Sequence, residues 1–537
     1  MLCAKVVFPL LFLSNSLLIK SLCDSCLEKE GNLHCDSLND FIGYENPESV
    51  ENATMKSRIL IRNSFNCEDP AFANYKSLQR LEISNSGIFH INKDCFRGLD
   101  SITEVDLNAN IIPAVKMKIF ESLAKIEVIK LNDNHITNLN FDNTTLHKVV
   151  YVKVLNNQIE TVDIWKNALP RIKVLHLANN LLERIIINSE SLLYLNLSNN
   201  RIDFLAPTDL NTPRLSTLDL SYNSLTSVVP ILHLPKVSQI YLSHNLIQKI
   251  VLPPKGLRYL HIDLSYNKFN SFEEIVFLDH LFNYSLILSH NQIFRLDRVK
   301  ENFIENREFH CVSCSIHLIN PYLFGRNFPN LKLLNLRLNY LTKADIFQGK
   351  NEINFKLTNI DLSYNKIQKI QKLDFQKLEN ATDLSLGNND ISEIELGAFD
   401  NLKHLHLLSL TNNFIFILSP NLFLHTSRLS VLDMSGNNMA FLPITENDRI
   451  LSNLRFLKMN RNPLQCACLE IMRSWAKTKI ISFVVDDKNV RNGLKPSCIV
   501  NGDKCKTDVD MDFVKPYWHL FNDEKLKQIL IMFNNTK

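Results

Sequence analysis

Cys311-x-x-Cys314 and Cys23-x-x-Cys26 have the spacing with which two thiolates can share a metal ion or cycle between thiol and disulfide. Zinc needs four ligands close together, and these two pairs lie far apart in the chain, so neither completes the other. In a regular strand Cys311 and Cys314 would face opposite sides, and a bridge between them would need a local distortion. Histidines such as His147, His176, His261, His310 and His404 are scattered. No Ser-His-Asp order, His-Glu-x-x-His run or phosphate-cradling glycine loop accompanies them. Asp508-Val509-Asp510-Met511-Asp512 lacks the glycine and terminal glutamate of a calcium loop and reads as a solvated acidic turn. The chain is therefore not expected to be an enzyme, nor to hold a metal or cofactor.

What positions these residues is a repeating frame. Asn110, Asn134, Asn157, Asn180 and Asn200 begin a series that continues to Asn462, at spacings of 20 to 26 residues. Each closes the pattern L-x-x-L-x-L-x-x-N-x-L, as in Leu215-Ser216-Thr217-Leu218-Asp219-Leu220-Ser221-Tyr222-Asn223-Ser224-Leu225. Such self-similarity marks a leucine-rich repeat array. Around the central L-x-L, side chains alternate in and out, which predicts a short parallel strand per repeat. One such strand cannot bury its apolar face alone, but copies stacked about 4.8 Å apart make a continuous core.

The turn leaving each strand points inward and would strand backbone N–H and C=O groups at roughly 1 to 3 kcal/mol each. An Asn amide donates and accepts at once, so stacked asparagines can bridge neighbouring turns. Ser64, Ser86 and His317 fit the same position of the frame, the last after Phe309, Val312 and Cys314. The fold class expected is an α/β solenoid: a horseshoe with a parallel concave sheet, an irregular convex side and disulfide-stabilised caps. The boundaries expected are 1–23 signal peptide, 24–56 N-terminal cap, 57–464 array of about 18 repeats, 465–505 cysteine-rich C-terminal cap and 506–537 tail. Phe96, Phe120, Phe375, Phe399 and Phe423 recur on the convex side of the regular stretches. Between Phe272 and Phe328 the spacing is irregular, which makes that region a candidate for a functional insertion.

Outward-facing strand positions include Lys130, Lys153, His176, Asn196 and Asp219. Lys130 and Lys153 fall in successive repeats, flanked by Val128, Tyr151 and Leu155, and this mixed basic and apolar patch is the candidate ligand surface. An ordinary solvated face is the competing reading. Net charge is +3 over 537 residues with both signs interspersed, so no nucleic-acid footprint follows.

Residues 1–23 combine an early lysine, the apolar runs Val6 to Leu13 and Leu17 to Ile19, and the exit Ser21-Leu22-Cys23, as a cleaved signal peptide does. The last 32 residues offer only Ile529 to Phe533 as an unbroken apolar run, too short for the ~20 residues of a span, so a secreted extracellular protein is expected. Six N-x-S/T acceptors agree with that compartment: Asn52, Asn143, Asn196, Asn283, Asn380 and Asn534. A glycan on Asn196 would obstruct binding nearby.

Of twelve cysteines, ten remain after cleavage at Cys23, an even number suited to an oxidising compartment. Cys26 and Cys35 could close an N-terminal hairpin, and Cys67 could pair with Cys95 or leave it a buried thiol. Cys466, Cys468, Cys498 and Cys505 follow the final Asn462-Pro463-Leu464. That arrangement resembles the C-terminal cap of secreted leucine-rich repeat proteins. The resemblance implies pairs Cys466–Cys498 and Cys468–Cys505, with a helix over 469–477 whose buried side carries Trp475. From about Ser57 to Cys505 the repeats and cap resemble Toll-like receptor ectodomains and the short, coiled-coil-free insect leucine-rich immune proteins. The resemblance implies non-catalytic recognition of extracellular protein or microbial ligands in innate immunity. A matrix or cell-surface adhesion protein, or a soluble receptor-like decoy, is the alternative.

Overall fold

The computed structural model describes residues 26–29, 32–35, 52–56, 65–67, 72, 74–227, 234–252, 260–277, 284–297, 306–348, 355–443, 451–485, 498–500, 502–508, 512 and 515–517. The expected signal peptide, Asn283, Asn534 and the apolar run of the tail lie outside them, as do residues 57–64. The chain forms two compact units, residues 1–246 and 247–537.

In the first unit an antiparallel hairpin, Cys26–Lys29 with Asn32–Cys35, sets Cys26 opposite Cys35 in register. Parallel strands then follow one another in chain order from Asn52–Lys56 and Arg80–Ser84 to Thr217–Asp219 and Gln239–Tyr241. The strand ahead of Arg80–Ser84 therefore comes earlier in the chain than a frame ending at Ser64 would place it. In the second unit the same one-after-another pairing runs from Leu260–Asp263 to Ser482–Val484. Within the described parts of the array the α-helix Leu323–Asn327 is short, and the helix Cys466–Thr478 follows the last repeat, so the array is a β-solenoid.

Alternation explains each strand. In Thr217–Asp219 the central Leu218 is fully buried while its neighbours are half-buried. A fully buried leucine stabilises by roughly 1.5–3 kcal/mol, and each repeat stacks its own on the last. Opposite the sheet, phenylalanines pile face to face: Phe72, Phe96 and Phe120 with centroids 6.1 and 5.7 Å apart, and Phe375, Phe399 and Phe423 at 6.2 and 6.1 Å.

The inward turn is held by the asparagine. Asn180 Nδ2 donates to Leu177 O of its own repeat at 3.1 Å and to Val154 O of the preceding repeat at 2.9 Å. Its Oδ1 accepts the Ile159 N–H of the preceding repeat at 3.1 Å. The arrangement recurs in the second unit, where Asn389 donates to Leu386 O and Leu362 O, both at 3.0 Å, and accepts from Ile367 N at 3.1 Å. The residue before each asparagine takes the left-handed conformation, φ near +55° at Asn179, Tyr222 and Asn388.

His317 does not occupy this position. Phe309 pairs in register with Leu286 and Leu334, which are central strand leucines, so the repeat is set three residues earlier than expected. Cys314 stands where asparagine stands elsewhere, with the left-handed Ser313 before it, and His317 is exposed. Both Cys311 and Cys314 consequently point inward, and they are joined by a disulfide. The bond closes the same three-residue step that asparagine closes by hydrogen bonding. Asn339 of the next repeat then accepts both Cys314 N–H and Ile316 N–H, at 3.0 and 2.9 Å. Ser86 is served likewise, with Asn110 Oδ1 accepting Ser86 N–H and Ile88 N–H at 3.0 and 3.1 Å.

At the far end the helix Cys466–Thr478 buries Cys468, Leu469, Met472 and Ala476. Trp475 is only half-buried, because the inner face is set by these four residues. Disulfides join Cys466 to Cys498 and Cys468 to Cys505. Cys95 is disulfide-bonded rather than a free thiol.

Asn389→Ala should leave the Ile367 N–H unpaired in a site only 3% exposed, while Leu362 O and Leu386 O each keep a second donor, Asn365 and Asn413. At roughly 1–3 kcal/mol for one stranded group it is expected to destabilise the second unit by about 2 kcal/mol in denaturant unfolding, whereas exposed Lys372→Ala leaves the midpoint unchanged. Equal midpoints for the two variants would contradict this role.

Candidate functional site

The outward column of the first unit's sheet is set by strand register. Lys130, Lys153, His176, Asn196, Asp219 and Tyr241 stand side by side, as do Val128, Tyr151, Val174, Tyr194 and Thr217. Of the five residues expected to form the ligand surface, Val128, Lys130, Tyr151, Lys153 and Leu155, all are half-buried on this face or its margin.

Their chemistry differs. Lys130 Nζ contacts Glu104 Oε1 at 2.5 Å and Asp106 Oδ2 at 3.6 Å, and Glu104 also meets Arg80 at 3.5 Å. Burial disfavours the Lys130 ammonium, but the Glu104 hydrogen bond and the two carboxylates outweigh it and raise its pKa. Lys130 is thus neutralised within the array. Tyr151 instead packs toward the His176 ring, 5.7 Å between centroids, and His176 toward Tyr194 at 4.9 Å. Burial, helped by the Lys153 charge, lowers the His176 pKa below its ordinary value. A neutral imidazole between two tyrosines, with the Lys153 ammonium beside it, is therefore the centre of the face. Tyr194 was missed by sequence reasoning because it sits at a flanking strand position, one whose alternation resembles that of any half-exposed residue.

Several other outward side chains are committed to the backbone. Asp219 Oδ1 accepts Ser221 N–H at 3.0 Å and its hydroxyl at 2.6 Å, and Asp263, Asp361 and Asp433 hold Ser265, Ser363 and Ser435 in the same way. Asn196 Oδ1 accepts from Ser198 N–H and Oγ, at 2.9 and 2.7 Å. The acceptors Asn143 and Asn380 are exposed.

Further along each turn, side chains stack from repeat to repeat. Asn156 donates to Asp133, Asn179 to Asn156 and Asn199 to Asn179, at 2.6, 2.7 and 2.6 Å. The Tyr222 and His244 rings lie 4.0 Å apart, near parallel. In the second unit Tyr266 stacks on His290 at 4.0 Å, and the Arg337 guanidinium lies 4.1 Å over Tyr364. No group of three or more His, Cys, Asp or Glu among the described residues could hold a metal ion. Among the same residues no helix is long and apolar enough to cross a membrane.

A profile described as a leucine-rich repeat matches residues 190–247, 355–415 and 379–439, and one for a BspA-type leucine-rich repeat region of 6 copies matches residues 46–191. The sequence matches no curated protein. Among solved structures, a leucine-rich repeat protein of Leptospira interrogans is 19% identical, with 85% of this chain and 100% of that chain covered and a TM-score of 0.49. YopM from Yersinia enterocolitica is 20% identical over 72% of this chain and 70% of its own, TM-score 0.44. A chain of the Toll–Spatzle complex of Drosophila is 15% identical over 89% of this chain and 78% of its own, TM-score 0.49. The repeats, their register and the profiles define a leucine-rich repeat solenoid. This chain is a leucine-rich repeat protein, of a class that typically serves as a non-catalytic binding scaffold.

The buried carboxyl of Asp374 is structural: it accepts the Gln371 N–H at 2.7 Å. Burial, with the Asp345 and Glu395 carboxylates, pushes its pKa up to about 6 despite that bond. A folded carboxyl that holds its proton more tightly than the unfolded chain favours the fold at low pH. Its contribution is fully present below the ordinary 3.8 and lost as pH rises through about 6. Asp374→Asn is expected to raise stability at neutral pH and flatten the profile across that window; an unaltered profile in chemical unfolding at several pH values would argue otherwise.

Proposed function

We propose that this chain is a secreted, non-catalytic recognition protein that binds another extracellular protein through the sheet face of its first unit. The observation that carries the reading is the Tyr151–His176–Tyr194 ladder beside Lys153. Tyrosines held in place by neighbours lose little freedom on binding and are enriched at interface hot spots. A lysine at the edge of such a patch adds charge selectivity. The disulfides support an oxidising, extracellular setting. The role in innate immunity rests on the resemblance of the repeats and cap to the insect leucine-rich immune proteins.

This reading places Asn196 inside the contact surface, next to Tyr194, so its acceptor must be bare. Peptide mapping of protein from body fluid is expected to find Asn196 unmodified; stoichiometric glycan there would exclude this face. Crosslinking and mass spectrometry on the same material should give a defence protein as partner. In the Tyr151→Ala, Tyr194→Ala double variant that co-purification is expected to fall by about 30-fold or more, as loss of hot-spot residues worth about 2 kcal/mol implies. Matrix partners alone, or a partner retained by the variant, would refute the proposal.

A further inference from the structure

A second surface lies on the second unit, where the chain enters the strands. Here a groove of about 500 Å3 is lined by Lys356, His404, His406 and Arg428 together with Thr358, Thr382 and Asn380. The repeat makes it a comb. Asn330, Lys356, Asn380, His404 and Arg428 occupy one column of successive repeats, spaced 24 to 26 residues apart, and Lys332, Thr358, Thr382 and His406 the column beside it. At strand spacing, Lys356 and Arg428 stand three repeats, roughly 14 Å, apart.

The floor of the comb is rigid. Thr358 N–H donates to Lys332 O, Thr382 N–H to Thr358 O and His406 N–H to Thr382 O, at 2.8, 2.8 and 2.7 Å. The Thr358 hydroxyl reinforces the first of these, to Lys332 O, at 3.1 Å. The charges above it are not cancelled from within. Among the described residues no carboxylate lines the groove. Asp383 beside it is held by the Thr382 hydroxyl and by Asn359 Nδ2, at 2.7 and 3.0 Å, and Glu379 is taken by Lys403 at 2.9 Å. Lys356 Nζ donates to a neutral acceptor, Asn330 Oδ1, at 2.7 Å.

We infer that this groove binds an acidic polysaccharide, a carbohydrate chain bearing sulfate or carboxylate groups. Two cations at the ends of this column, roughly 14 Å apart, suit a polymer that carries anions along its length. The hydroxyl and amide groups between them suit sugar hydroxyls. Among the described residues every lining side chain carries a polar group, and none is an aliphatic or phenyl group that would seat the apolar side chains of an acidic peptide. Asn380 opens into the groove and is also an N-x-T acceptor, so a glycan there would lie in the path of the ligand.

The test uses the full chain with any N-glycan trimmed to one sugar, and immobilised dextran sulfate, neutral dextran and polyglutamate at about 0.15 M salt. Dextran sulfate is expected to bind and neutral dextran not to. The exposed double variant Lys356→Ala, Arg428→Ala, with its unfolding midpoint unchanged, is expected to lose about tenfold or more in affinity. The equally charge-depleted Lys268→Ala, Lys372→Ala, on exposed positions elsewhere in the unit, is expected to keep it. The inference is overturned if dextran sulfate does not bind, if both double variants weaken equally, or if polyglutamate binds as tightly with the same dependence on Lys356 and Arg428.

Discussion

The structure depends on one bond pattern, an asparagine amide that spans two repeats from a dry turn. A strand of three residues such as Tyr194–Asn196 has too few backbone bonds to define an edge of its own. What fixes its neighbour is the side chain two turns of logic away: Asn223 Nδ2 reaches Leu197 O at 3.0 Å while its Oδ1 takes the Ile202 N–H at 3.0 Å. Because the amide serves both repeats, the pitch of the solenoid and the satisfaction of its interior turns are the same constraint. The outward strand positions lie outside both that seam and the leucine core, and they carry lysine, tyrosine, histidine, asparagine and aspartate.

The Cys311–Cys314 repeat shows how strict the constraint is. The frame can be laid over that stretch in two ways three residues apart, and hydrophobic pattern alone prefers the one ending at His317. Sequence reasoning treated asparagine as the mark of the turn and found none nearby, so it placed the histidine there. The structure satisfies the turn with a covalent bond in place of the amide's link to its own repeat. Asn339 of the next repeat accepts the Cys314 and Ile316 N–H groups, as Asn110 does for Ser86 and Ile88. Cysteine spacing of i and i+3 is therefore a turn signature in this fold, because both positions face the interior.

The fold and the asparagine seam were legible because they repeat: each copy is weak evidence and the register is common to all. The face was legible only in part. Lys130 and Lys153 look alike in sequence, yet Glu104 and Asp106 on the preceding strand neutralise the first and not the second. Such pairs join residues about 25 positions apart on side chains whose rotamers the frame does not specify. The basic groove escaped notice for a related reason. Lys356, His404 and Arg428 are unremarkable as isolated residues, and only stacking with the register of the second unit lines them up.

The seam is tested most directly by amide hydrogen exchange on the native chain. If asparagine side chains hold the turns, the N–H groups of Ile159, Ile202, Ile367, Ile391 and Ile415, which donate to Asn180, Asn223, Asn389, Asn413 and Asn437, should exchange as slowly as strand amides of the same repeats. Exchange of these five at the rate of exposed turn amides, with the strands still protected, would contradict the account.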